Sequence, residues 1–271
     1  MISFRAMRSR AISAYVAAVL LFAVFLFASQ RLSAEGQKEG RASVLATTSW
    51  TAAFARAAGL SEIKILAPYE MTHPSEYELK PSDLRAVAEA DLIIYAGYEI
   101  MVQRLKSAVG ESEAKLLQIS TDYSLATLRE SLGKIAAISK TESVAQKSIS
   151  EITEMYENWR EDLRKAGLLG SPVVVHVFQK PLAEELGFEV KGVFGPIPLE
   201  AKQIATLSEK SVRLIIDNKH NPVATPLRET LGEIPYVSFI NFPASRDSGT
   251  LLDVLQSNRR ALASAFSIPT K

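Results

Sequence analysis

Short apolar runs alternate with amphipathic segments along most of the chain. The runs at residues 44–47, 63–67, 92–95 and 115–119 are rich in Val, Ile and Leu, which predicts strands, and the segments between them show helical spacing. Continuous hydrophobicity is expected of strands that are buried on both faces. The first series therefore predicts a parallel sheet flanked by helices.

The same alternation restarts after residue 172. Strands are predicted at 173–175, 188–193, 212–216 and 236–240, with helices between them and a closing helix over 251–266. No sequence repeat relates the two series, so only the pattern is shared. Two such series predict two α/β lobes, at residues 43–140 and 169–271.

A long amphipathic segment joins the two series. Its apolar residues recur at alternating spacings of four and three, which predicts one helix near residues 142–167. They are Ala145, Ile149, Ile152, Tyr156, Trp159, Leu163 and Ala166. At about 1.5 Å per residue the helix would be about 38 Å long, enough to brace two lobes. We favour a stripe that packs on the protein itself over one that forms a coiled coil with a partner. The predicted fold is α/β, with two lobes of mainly parallel sheet joined by a long rigid helix at 141–168.

The N-terminus has the pattern of an export signal. Arg5, Arg8 and Arg10 precede an apolar run at residues 11–28, and Leu-Ser-Ala at 32–34 precedes a polar segment. We predict a signal peptide at 1–34, a linker at 35–42 and a periplasmic or other extracytoplasmic location. The apolar run approaches the roughly 20 residues that span a bilayer, so an uncleaved membrane anchor is the alternative.

Composition excludes several classes of site and partner. The chain contains no cysteine, so a metal site must use nitrogen and oxygen ligands. Without residues 1–34 the chain keeps 27 basic and 30 acidic side chains, a net charge of −3, which argues against nucleic acid as a partner.

Five polar side chains follow the carboxyl ends of predicted strands, the edge at which open α/β sheets bind ligands. They are His73, Asp122, His176, His220 and Asn241. Pro74 restricts the backbone at His73 and presents its imidazole from a stiff loop, before a helix for which Ser82 is a candidate N-cap. Imidazole with carboxylate or amide oxygen suits Zn²⁺ and other divalent transition metals. The alternatives are a core histidine at 176, a turn residue at 220 and an exposed loop residue at 73.

Catalytic motifs are missing from the sequence. It has no Gly-x-Ser-x-Gly, no glycine-rich phosphate loop, no His-Glu-x-x-His and no cysteine nucleophile, so we predict that the protein is not an enzyme. A metal-dependent hydrolase would need a general base near the ion, and Glu76 or Asp122 is the available candidate.

Three segments carry a resemblance to a known family: residues 72–83 (THPSEYELKPSD), 88–97 (AEADLIIYAG) and 175–188 (VHVFQKPLAEELGF). They resemble, in that order, the first-ligand loop, the next strand and the third-ligand segment of the substrate-binding receptors of bacterial zinc and manganese ABC importers. The resemblance implies two lobes joined by a long helix, a metal held by His73 and His176, and a membrane permease as partner. It implies Zn²⁺ rather than Mn²⁺ as the transported ligand, and we expect a monomer.

The chain also departs from this family. The second-ligand histidine is missing, and Asp122 is the nearest oxygen donor. Asn241 stands where the family has an acid, with Asp247 slightly further on, and His220 is a candidate substitute. An alternative is therefore the same fold with a degraded metal site, which binds another ligand or serves as a surface or adhesive protein.

Overall fold

The computed structural model describes residues 43–110, 115–245 and 249–268. The predicted signal peptide at 1–34, the predicted linker at 35–42 and Asp247 lie outside these residues. Within the described ranges, no helix has both the length and the apolar character needed to cross a bilayer.

The first lobe is built on four parallel strands. They are β1 (Val44–Ala46), β2 (Ile63–Ile65), β3 (Leu92–Tyr95) and β4 (Leu116–Gln118), in the spatial order β2-β1-β3-β4. Leu45 of β1 pairs with Lys64 on one side and with Ile93 on the other. Helices α1 (Ser49–Ala57), α2 (Pro81–Glu89) and α3 (Val102–Val109) connect the strands. This confirms the predicted β-α alternation.

Two helices follow the first sheet, α4 (Leu125–Ser139) and α5 (Glu142–Lys165). At about 1.5 Å per residue the 24 residues of α5 extend about 36 Å. Six of the seven residues in the predicted stripe are buried in the protein, and Ala166 caps the helix. The stripe therefore packs on its own protein and is not available to a coiled-coil partner.

The second lobe repeats the topology of the first. Its strands are β5 (Pro172–His176), β6 (Glu189–Phe194), β7 (Leu214–Asn218) and β8 (Tyr236–Phe239), all parallel, in the order β6-β5-β7-β8. Its helices are α6 (Lys180–Glu185), α7 (Ala201–Ser208), α8 (Thr225–Leu231) and α9 (Leu251–Ala265). The predicted fold of two parallel-sheet α/β lobes is confirmed.

The prediction of Ser82 as the N-cap of α2 is wrong. The helix begins at Pro81 and its cap is Lys80, because proline is well suited to the first helical position. Asp83 Oδ2 accepts a hydrogen bond from the Lys80 N–H at 2.9 Å and from the Tyr77 hydroxyl at 2.7 Å. Burial and the Asp83 carboxylate together raise the pKa of Tyr77 to about 12.

One hydrophobic core runs through both lobes. It includes Val44 and Phe54 from the first lobe, Trp159 from α5, and Phe239 and Leu262 from the second. Trp159 is buried and meets the ring of Phe239 edge-on, with centroids 6.1 Å apart. The two sheets are therefore joined by packed side chains as well as by the long helix.

Candidate functional site

A cavity of about 580 Å³ lies where the carboxyl ends of the strands of both sheets meet. Its lining comes from the segments that follow seven of the eight strands, all except β6. The lining residues are Thr48, Trp50, Thr72, His73, Pro74, Ser75, Glu76, Tyr98, Thr121, Asp122, Val177, Phe178, Pro181, Asn218, His220, Asn221, Asn241 and Phe242. This is the edge at which α/β sheets bind ligands.

His73 reaches the cavity from the loop after β2. Pro74 is buried and starts a short 3₁₀ turn at Pro74–Glu76, and the Ile100 N–H donates to the Ser75 carbonyl at 2.9 Å. These contacts fix the loop, while the His73 side chain stays exposed to solvent. The local sequence thus delivers an accessible imidazole on a constrained backbone.

His220 lies on the second-lobe side of the same cavity. Its ring stacks on Phe242 with centroids 3.8 Å apart and an angle of 14° between the planes. The Asn241 N–H donates to His220 Nδ1 at 3.3 Å, so the proton of the neutral ring is on Nε2. Burial, with smaller contributions from the charges of Lys219 and His73, lowers the pKa of His220 to about 4. The His220 imidazole is therefore neutral at physiological pH.

Asn241 lines the cavity and is linked to the first lobe by the buried Tyr123 behind it, and we call this hydrogen-bonded pair the floor of the cavity. The Tyr123 hydroxyl donates to the Asn241 carbonyl at 2.8 Å, and the Tyr156 hydroxyl donates to the Tyr123 carbonyl at 2.7 Å. The Asn241 side-chain oxygen accepts a hydrogen bond from Gln179. Complete burial raises the pKa of Tyr123 well above its usual value, so it remains a donor. Asn241 thus lines the cavity with its amide oxygen already engaged.

Asp122 lines the cavity but also organises the start of α4. Its Oδ1 accepts from the Ser124 N–H at 2.8 Å and from the Ser124 hydroxyl at 2.7 Å, and its Oδ2 accepts from the Thr127 hydroxyl at 2.9 Å. Ser124 is in turn the N-cap of the helix. Both carboxylate oxygens therefore serve the helix terminus, where negative charge is stabilised.

His176 is not among the residues that line the cavity. Successive side chains of a strand alternate between faces, so His176 shares the face of Val174, which belongs to a second-lobe core cluster. Its ring packs against Phe178 and Phe194, and a Cβ on Gly195 (φ +75°) would overlap it. Nδ1 accepts from the Phe178 N–H at 3.2 Å, and burial lowers the pKa of the imidazole.

Several residues of the cavity wall were not predicted from the sequence. Asn218 is 1% exposed, its Oδ1 accepts from the His220 N–H at 3.1 Å, and its Nδ2 has no hydrogen-bond partner within the described residues. Trp50, Phe178 and Phe242 add aromatic surface, with Trp50 stacked near Tyr123 at 5.9 Å. All of them follow or end strands, so the carboxyl-edge rule would have found them if it had been applied to every residue type.

The donors for a metal ion are few. In the described part of the chain, no three His, Asp or Glu side chains form a group that could hold one. Of the five predicted site residues, the structure brings His73, Asp122, His220 and Asn241 to one cavity and leaves His176 outside it. Its volume lies in the range of about 300–1,000 Å³ typical of pockets for small molecules, far more than a bare ion fills.

Residues 44–134 match the family model described as zinc-uptake complex component A, periplasmic. No curated protein matches the sequence.

Solved structures match over the length of the fold. The metal-dependent lipoprotein YcdH from Bacillus subtilis is 18% identical with a TM-score of 0.60, over 82% of this chain and 97% of that one. AdcAII from Streptococcus pneumoniae is 17% identical with a TM-score of 0.62, over 82% and 98%. A zinc-bound deletion mutant of ZnuA is 17% identical with a TM-score of 0.57, over 85% and 99%. The predicted resemblance is thus confirmed by the family model over residues 44–134, and the solved structures show that the fold is shared.

Proposed function

We propose that this protein is the extracytoplasmic receptor of an ABC importer and that it captures a divalent transition metal in the cavity between its lobes. The observation that carries the proposal is the cavity itself, which lies between the lobes and is lined by the exposed His73 with the carboxylates of Glu76 and Asp122. The zinc-uptake family model over the first lobe supports the same function. The receptor makes and breaks no covalent bond, so it is not an enzyme.

Zn²⁺ is the preferred cargo in this proposal, ahead of Mn²⁺. Imidazole nitrogen favours zinc, whereas a shell of oxygen ligands favours manganese. His73 is the principal nitrogen ligand because its side chain is exposed at the cavity, and Glu76 and Asp122 are the carboxylates on the same lobe. Solved structures with this fold were determined with zinc, cadmium or manganese bound.

The rest of the transport system follows from this role. Export by the segment 1–34 would deliver a monomeric receptor to the outer side of the cytoplasmic membrane, where it would dock on a permease. We propose the lobe boundaries 43–140 and 169–271, with the link at 141–168.

Isothermal titration with Zn²⁺ and Mn²⁺ tests the proposal. The wild-type protein should bind Zn²⁺ more tightly. His73→Ala should weaken binding by at least the roughly 10- to 100-fold that loss of even an outer partner of a metal site costs.

His176→Ala is the matched control, because His176 is enclosed by Phe178, Phe194 and Gly195 rather than lining the cavity. We expect it to change Zn²⁺ affinity less than about threefold. Unchanged Zn²⁺ binding in His73→Ala would contradict the proposed ligand. A large loss in His176→Ala alone would instead restore His176 as the ligand that the sequence implies.

A second candidate function is a receptor of this fold for an organic ligand without metal. The small number of metal donors and the aromatic and amide lining of the cavity favour it. Failure of the wild-type protein to bind any divalent metal below micromolar concentrations would support this candidate over the first.

A further inference from the structure

The two walls of the cavity offer opposite chemistry. The first-lobe wall presents lone pairs, from the His73 imidazole and from the carboxylates of Glu76 and Asp122. On the second-lobe side, Asn218 and His220 line the cavity, Asn218 Nδ2 is a buried donor without a partner within the described residues, and His220 Nδ1 already accepts a hydrogen bond. A bare cation is matched by the first wall alone.

Asn218 gives the most direct sign of a missing ligand. A buried amide donor without a hydrogen-bond partner destabilises the folded state, so native proteins seldom contain one. Asn218 is 1% exposed, lies on the cavity wall, and its Nδ2 has no partner within the described residues. Its Oδ1 is held by the His220 N–H, which fixes the amide so that nitrogen and oxygen cannot exchange places. The ligand that completes this group must be a hydrogen-bond acceptor.

His220 adds a second donor of the same kind. Its Nδ1 already accepts from the Asn241 N–H, so Nε2 carries the proton and has no lone pair for a metal. A metal-bound histidine has the opposite arrangement, in which the second nitrogen donates a hydrogen bond to an oxygen. The Phe242 ring, stacked on the imidazole, also holds its plane.

We propose that the cargo is a divalent metal already chelated by a small organic carboxylate, with the metal bound by His73 and the carboxylate oxygens bound by Asn218 and His220. This inference rests on the proposed function and names the form in which the metal arrives. On binding, one water of the complex leaves the metal and the His73 nitrogen takes its place, so no electron or proton is transferred. The organic part fills the remaining cavity and lies against Phe178 and Phe242.

Isothermal titration of the wild-type protein separates the alternatives. The titrants are Zn²⁺ alone, zinc citrate, the zinc complex of histidine, and citrate or histidine alone. We expect at least one complex to bind at least about tenfold more tightly than both Zn²⁺ and its own free chelator. Equally tight binding of Zn²⁺ alone would overturn the inference and leave the proposed function intact. Equally tight binding of a free chelator, or no binding of any of these titrants, would overturn both.

The Asn218→Asp substitution should change the affinity for a chelated metal and the affinity for a bare cation in opposite directions. It keeps the oxygen that accepts from the His220 N–H but replaces the free donor with a negative oxygen. A chelated cargo should bind about tenfold or more weakly, because carboxylates then face each other, whereas a bare cation should bind more tightly.

Asn221→Asp is the control matched in charge, since Asn221 lines the same cavity but its Nδ2 already donates to the Pro196 carbonyl at 2.9 Å. We expect Asn221→Asp to lower the affinity for the chelated metal less than Asn218→Asp does. Equal losses in the two variants, or tighter binding of the complex to Asn218→Asp, would overturn the inference. Thermal unfolding confirms that both variants are folded, and the wild-type titrations stand without them.

Discussion

The two lobes share one topology but contribute different chemistry to the cavity. Both sheets have a strand order equivalent to 2-1-3-4, so corresponding loops meet at the cavity. The first lobe supplies His73, Glu76 and Asp122, whereas the second supplies Asn218 and His220 with the aromatic rings of Phe178 and Phe242. The difference teaches that a repeated fold fixes where ligand groups lie, while the loops decide whether they give or accept electron pairs.

The largest expected effect concerns stability. The two lobes contribute different side chains to the cavity, and the test is whether they nevertheless unfold together. Trp159→Ala should lower the free energy of unfolding by about 3–5 kcal/mol, because it empties a buried site in the core that both lobes share. Denaturant unfolding followed by circular dichroism, which reports both lobes, should show one transition at lower denaturant. Two transitions would show that the shared core does not couple the lobes.

A smaller effect concerns His220 in the second lobe. Burial depresses the pKa of His220 to about 4 from about 6.5 in the unfolded chain, so the unfolded state binds more protons between these values. The resulting stabilisation is complete above pH 6.5 and is lost as the pH falls toward 4.

The free energy of unfolding of the wild type, relative to His220→Gln, should therefore fall by about 1–3 kcal/mol between pH 7 and pH 4. Urea unfolding of both proteins across this range measures it. If the free energies of unfolding of the two proteins changed equally with pH, His220 would be as hydrated in the folded state as in the unfolded chain.

The smallest effect concerns the hydrogen bond at the floor of the cavity. Tyr123→Phe removes the hydroxyl that donates to the Asn241 carbonyl and should cost about 1 kcal/mol of stability. It should also weaken cargo binding, because Asn241 orients the His220 ring through its own N–H. Tyr77→Phe is a control, since its hydroxyl bonds to Asp83 within the first lobe. Equal loss of cargo affinity in both variants would contradict a specific role for the floor.

Hydrophobic patterns over short stretches of sequence were sufficient to predict most of the fold. Strand β3 at Leu92–Tyr95 has the predicted bounds, because local propensity and burial agree there. The stripe on α5 likewise indicated which side of that helix is buried. The start of α2 was misplaced by the preference for a serine cap, where Pro81 and Asp83 set the boundary instead.

The sequence predicted where the site lies but not how its side chains are arranged. Because they follow the carboxyl ends of strands, four residues were predicted to lie in one region, and all four line the cavity: His73, Asp122, His220 and Asn241. The sequence could not show that His176 faces the core beside Phe194, since that depends on where β5 ends and on the packing of Gly195. Nor could it show that the Asn241 N–H points to His220 Nδ1, a contact between residues 21 positions apart that only the folded sheet creates.

The continuous core also bears on how the chain reaches its native state. Val44 and Leu262 belong to the same cluster, so the core is complete only when nearly all of the sequence is present. Contacts between such distant residues slow folding, since long loops must close before burial compensates for the lost chain entropy. We therefore expect the core shared by both lobes to form only near the end of synthesis. Slow folding would keep the chain unfolded while it crosses the membrane during the export that we propose.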